Sequence, residues 1–110
     1  GGTSWSLLKT LDEGYKVLNL QGHRYHPMRA FWQATLGNAE AIGMADRIGT
    51  LDAGTEADFI VLDARATEAM ALRMETVEVL AEELFVLQTL GDDRAVTAAY
   101  VAGRITHATA

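Results

Sequence analysis

The stretch Ile48–Asp63, IGTLDAGTEADFIVLD, decides how this chain is read. Residues 49–58 hold two glycines, two aspartates and two threonines, which is a turn composition. Phe59–Leu62, FIVL, follows at once and is built of strand formers. The run is continuous rather than alternating, so it predicts a strand covered on both faces. A chain of 110 residues with at most three strands cannot supply that cover by itself. The missing strands are therefore expected in polypeptide outside this sequence.

Working towards the amino terminus, helices dominate. Residues 4–21 place Leu8, Leu11, Tyr15 and Leu18 at spacings of three and four, one face of a helix. Ser4 or Ser6 can cap its start and Gly22 its end, and Asp12 and Lys16 form an exposed i,i+4 pair. Pro27, the only proline, suits a first helical position and opens a second helix over 27–43. Its expected buried face is Met28, Trp32, Ala39 and Ile42, with Phe31 and Leu36 beside it. The small residues Ala34, Gly37, Ala39 and Ala41 predict close approach of another element.

Working towards the carboxyl terminus, residues 64–74 can hold a short helix. Residues 74–90 read as an inserted third helix with the stripe Val77, Leu80, Leu84 and Leu87, ended by Gly91. Residues 95–107 read as a hairpin turning at Ala102–Gly103. The fold class is α+β: three helices with a two- or three-stranded sheet, in a single unit spanning 1–110.

Composition narrows the function. The net charge of −6 argues against nucleic acid or an anionic membrane as partner. The absence of cysteine excludes disulfides and thiolate metal sites, and fits a reducing, cytoplasmic setting. No apolar run approaches the roughly 20 residues of a membrane span. Chemistry-bearing clusters are few. His23 and His26 are three apart, but they sit across a helix break before Pro27 and read as an interhelix turn. His107 has no partner nearby in sequence. Asp92 and Asp93 read as a helix-ending turn rather than an acid–base pair. Trp5, Trp32 and Tyr100 read as core aromatics. Nothing assembles a nucleophile, a base and an orienting group.

Thr35–Asp63, TLGNAEAIGMADRIGTLDAGTEADFIVLD, resembles the carboxyl-terminal signature of the amidohydrolase superfamily. That signature is a T-x-x-x-A helix ending in glycine, an I-G-x-L-x-x-G-x-x-A-D turn and an apolar strand. Thr35, Ala39, Gly43, Ile48, Gly49, Leu51, Gly54, Ala57 and Asp58 match it. Tyr100–Arg104, YVAGR, resembles the closing strand of these proteins. GGTSWSLLKTLDEGYKVLNLQG and EELFVLQTLGDDRAV are similar to purine-deaminating members.

The resemblance implies the carboxyl-terminal piece of a (β/α)8 barrel with a composite β-sandwich. Residues 4–43 would be barrel-side helices, and 48–63 and 95–107 sandwich strands. It implies a metal, zinc or iron, in the parent protein, held by an H-x-H pair, further histidines and an aspartate. No H-x-H occurs here, and His23, His26 and His107 match no ligand. Catalytic, substrate-binding and metal residues within 1–110 are therefore expected to number none, and the chain alone to be inactive. Thr3 and Ser4 would follow the site closely, without an assigned role. The expected partners are the amino-terminal remainder of the polypeptide, a purine substrate and, in the parent, a second copy. The alternatives are a chlorohydrolase-type or other aminohydrolase of the superfamily, or a free-standing structural domain.

Overall fold

The computed structural model describes residues 6–109. The element order is α1 (Leu7–Leu20), α2 (Pro27–Trp32), a π-helical turn (Gln33–Gly37), α3 (Asn38–Ala41), β1 (Phe59–Leu62), α4 (Glu68–Met74), α5 (Leu80–Leu90), a 3-10 turn (Asp93–Ala95), β2 (Val96–Val101) and β3 (Arg104–Ala108). The strands form one antiparallel meander in the order β1-β2-β3. The α+β reading holds, and the strand at 59–62 falls where the apolar run placed it.

Local chemistry explains the helix ends. The Ser6 side chain accepts from the Lys9 N–H and starts α1, while Ser4 lies outside the described residues. Gly22 adopts φ +81, and the His23 N–H returns to the Leu18 carbonyl at 2.8 Å. Gly43 repeats this, with φ +75 and Met44 N–H on the Ala39 carbonyl at 2.8 Å. Both are left-handed glycine stops that satisfy orphan carbonyls. Between α2 and α3 the helix widens into the π-turn, where the Thr35 hydroxyl donates to the Phe31 carbonyl at 2.7 Å. Mid-helix Gly14 lies under the Tyr25 ring: a Cβ there would sit 3.2 Å from it, so the ring would have to shift by a few tenths of an ångström.

The core lies among the helices. Leu8 and Leu11 of α1, Ala30 of α2, Met70 and Met74 of α4, and Val86 and Leu87 of α5 are buried together. Ala64 and Ala95 close it at the edge of the sheet, and Leu62 packs against it. Helix α5 is central, touching α1, α2 and α4.

Several expectations are corrected. The inserted helix begins at Leu80, not 74; Val79 is extended, and Leu80 is 60% exposed instead of lining the stripe. On the second helix Met28, Trp32 and Ile42 are exposed, whereas Pro27, Ala30 and Ala39 are buried. Trp32 is thus not a core aromatic: Gly37 lies beneath its ring and Arg29 over it. Tyr100 is half-buried and stacks on Phe59 at 4.5 Å, and Trp5 lies outside the described residues. Asp12 is buried rather than exposed, with Lys16 at 3.0 Å and Lys9 at 3.6 Å. Among the described residues neither face of β1 is fully covered, since Ile60 and Val61 point to opposite sides and are both exposed.

The Gly49–Gly54 turn enters β1 through Asp58. A carboxylate placed where a turn enters a strand is expected to accept N–H groups of that turn. In the fold, Asp58 Oδ1 instead accepts from the Ala102 N–H at 2.8 Å, and the Gly103 N–H donates to the Ala57 carbonyl at 2.9 Å. Asp58 therefore ties the loop to the β2–β3 turn, where Ala102 has φ +50. The bond is exposed, so Asp58→Ala is expected to cost about 1 kcal/mol. An unchanged denaturation midpoint would remove the bond from the stabilising set.

Candidate functional site

The one stretch that gathers chemistry is the turn between α1 and α2. Pro27 opens α2, and His26 before it is the N-cap: its Nδ1 accepts from the Met28 N–H at 3.1 Å. That acceptor role places the ring proton of the neutral imidazole on Nε2. Tyr25 is held at three points. Its ring covers Gly14, its hydroxyl donates to Gln33 Oε1, and its carbonyl accepts from Gln88 Nε2 at 3.5 Å. Burial pushes the Tyr25 phenol above its ordinary value of 10.0, against a weaker downward pull from Arg29. Gln88 is fully buried, and its Oε1 has no hydrogen-bond partner among the described residues.

Two shallow hollows of about 250 and 260 Å³ open beside this turn and share His26, Pro27 and Phe85. The first continues along Arg73, Thr76, Val77, Ala81 and Glu82. The second continues along Tyr15, Asn19, Arg24 and Tyr25. Tyr15 and Phe85 meet edge to face at 5.3 Å in the second hollow, and Phe85 with Pro27 forms the apolar wall common to both. Of these residues only the His23–His26 turn was singled out in the sequence. Tyr15 and Phe85 are 70 positions apart, and Arg73 lies on a short helix, so no local pattern joined them.

The remaining candidates fall elsewhere. His107 lies exposed on β3. Thr3 and Ser4 are outside the described residues. Asp92 caps the 3-10 turn: its Oδ1 accepts from the Arg94 N–H at 2.9 Å, and its Oδ2 meets Arg94 Nη2 at 2.6 Å. The Arg94 guanidinium holds the Asp92 carboxyl below its ordinary 3.8, against a smaller upward push from burial. A carboxyl with a lowered folded-state value stabilises above its unfolded value and loses that contribution as pH falls through the folded one. Asp92→Asn is therefore expected to lower stability at neutral pH. Its deficit should vanish in acid unfolding below the ordinary carboxylate range. A deficit that persists at low pH would assign the effect to the turn's packing instead.

Among the described residues no group of three or more histidine, aspartate or glutamate side chains could hold a metal. No described helix is long and apolar enough to cross a membrane.

Comparison with known proteins places this geometry. Residues 2–106 match the model of the amidohydrolase family. The chain is 46% identical over 106 residues to the guanine deaminase of Escherichia coli strain K12, covering 96% of this chain and 24% of that protein. The solved E. coli guanine deaminase superposes with a TM-score of 0.95 at 45% identity, over 99% of this chain and 26% of that one. The guanine deaminase of Bradyrhizobium japonicum superposes at 0.85 with 27% identity, over 99% and 29%. A 39-residue stretch is 51% identical to an S-triazine hydrolase of Gordonia rubripertincta, covering 36% of this chain and 8% of that protein. The chain spans about a quarter of the length of the guanine deaminases it matches. With a family match over nearly its whole length and the same fold at 45% identity, the chain belongs to the amidohydrolase family.

Proposed function

We propose that this chain serves as the carboxyl-terminal part of a cytoplasmic, metal-dependent guanine deaminase, the hydrolase that converts guanine and water to xanthine and ammonia. The observation that carries the reading is the fold-wide likeness to the E. coli enzyme, at a TM-score of 0.95 with 45% identity. The local likeness to an S-triazine hydrolase supports only the broader class, since it covers 36% of this chain.

In this reading the reaction adds water at the ring carbon that bears the exocyclic amine, and ammonia leaves. The described residues offer no metal ligand set, so no step of that reaction is assigned to them. The ligands would lie in the polypeptide preceding this segment. Residues 4–43 would be barrel-side helices, and 48–63 and 95–107 would complete a composite sandwich, with 74–90 as an insertion. The open faces of β1 at Ile60 and Val61 fit a sheet awaiting neighbours.

The test uses two proteins: the full-length polypeptide containing this segment, and residues 1–110 alone. Each is assayed for ammonia release from guanine and from amino-triazines, and for chloride release from chloro-triazines. Turnover of guanine by the full-length protein and none by the 110-residue chain is expected. Preferential turnover of a triazine would replace guanine as the substrate. Turnover by the short chain would place the chemistry within it.

A further inference from the structure

The groove beside the α1–α2 turn is unlike the rest of this acidic chain in its charge. Of the nine lysines and arginines, Lys9 and Lys16 pair with Asp12, Arg47 with Glu56 and Arg94 with Asp92, while Arg29 lies over the Trp32 ring. Arg24, Arg65, Arg73 and Arg104 are left without a carboxylate or ring partner among the described residues. Two of these four stand in the groove: Arg24 in one hollow, Arg73 in the other.

The remaining polar groups are mostly donors. His26 spends Nδ1 on its cap, so its neutral ring offers an Nε2–H at the point the two hollows share. Asn19 adds an amide, while the Thr76 hydroxyl already donates to the Arg73 carbonyl at 3.4 Å. Glu82 is the one carboxylate, on the Arg73 side, and forms no ion pair. The apolar lining is Phe85 and Pro27 in both hollows and Tyr15 and Tyr25 in one. Each hollow is smaller than the roughly 300–1,000 Å³ of a drug-sized site. An occupant is therefore small, or elongated enough to use both.

We propose that this groove binds a small aromatic anion of the nucleoside monophosphate class. A phosphate suits a planar guanidinium, which donates two parallel N–H bonds to its oxygens. The base would lie against the aromatic wall, where stacking is tolerant of base identity. The groove lies at the far end of α1 from Ser6, and a 14-residue helix is about 21 Å long.

The experiment titrates AMP, adenosine and inorganic phosphate into the full-length polypeptide by calorimetry, with wild type, Arg24→Gln, Arg73→Gln and the double variant. AMP is chosen so that occupancy of a guanine site does not confuse the readout. Saturable AMP binding is expected, at least tenfold tighter than adenosine or phosphate. Each single variant should weaken it about tenfold, and guanine turnover should be unchanged. Amide shifts of Thr76 and Ala81 on AMP addition give a second readout that needs no substitution. AMP binding equal in wild type and the double variant, phosphate binding as tight as AMP, or no saturable binding at all would each overturn the proposal.

Discussion

Replacement of Met70 by alanine is expected to destabilise the fold by about 2–5 kcal/mol. Met70 is 1% exposed and is among the largest fully buried side chains of the chain. It sits on α4, whose start is fixed by Thr67: the Thr67 hydroxyl oxygen accepts from the Met70 N–H at 3.2 Å. Helix α4 has seven residues, too few to hold together in water without packing. Removing the Met70 side chain leaves a void between α4 and the helices it packs with, and takes away the contact that keeps α4 folded. Met70→Leu conserves volume and should cost less than about 1.5 kcal/mol. Chemical denaturation of wild type and the two variants separates the cases. A loss under 1 kcal/mol for alanine, or equal losses for both, would mean that α4 is peripheral.

That helix also marks where the sequence became hard to read. ARATEAMALRM showed no long period, and its seven helical residues left too little pattern to judge the helix's weight. The strand before it was legible because FIVL is short, branched and bounded by Asp58 and Asp63. Helix α5 misled for the opposite reason. LAEELFVLQTL is apolar nearly all round, so a single stripe through Val77 and Leu80 was an arbitrary choice among several. The fold explains the composition: α5 is surrounded by α1, α2 and α4, and buries Val86, Leu87 and even Gln88. The second helix misled because its widest apolar face, Met28–Trp32–Ile42, finds no cover among the described residues.

The site was legible in part. His26 before Pro27 announced a helix start, and its cap is that reading made specific. Asp92 in GDDR announced a turn, and its bond to Arg94 confirms one. The groove was invisible because its walls come from residues 15–27 and 73–85, which only the packing of α1 on α5 brings together. Asp58 was read as structural, but its partner at Ala102 lies 44 residues away, beyond any local rule.

The signature glycine Gly49 carries the second large effect: Gly49→Ala is expected to cost about 2–4 kcal/mol. Its place in the 49–58 segment predicts a turn role, and the fold adds a contact. Gly49 has φ +103, a conformation that L side chains rarely adopt. A Cβ there would also lie 2.9 Å from the Ala39 Cβ and 3.0 Å from the Leu36 Cα. Neither neighbour is the tip of a flexible chain, so loop or helix must move. The small residue at Ala39 is thus the other half of this approach, and the spacing of Ala39 and Gly49 within the signature has a physical cause. Gly54 provides the control. It has φ +92 but nothing within 4 Å of the position a Cβ would take. Gly54→Ala should therefore show the backbone cost alone, about 1–2 kcal/mol. The difference between the two variants measures the contact of the loop with the α3 region. If both cost the same, Gly49 is a turn residue only and the close approach contributes nothing. If Gly49→Ala costs more, pairing it with Ala39→Gly should recover part of the loss, because the added methyl then meets only the Leu36 backbone. Recovery in the double variant and none from Ala39→Gly alone would tie the loss to that contact rather than to φ.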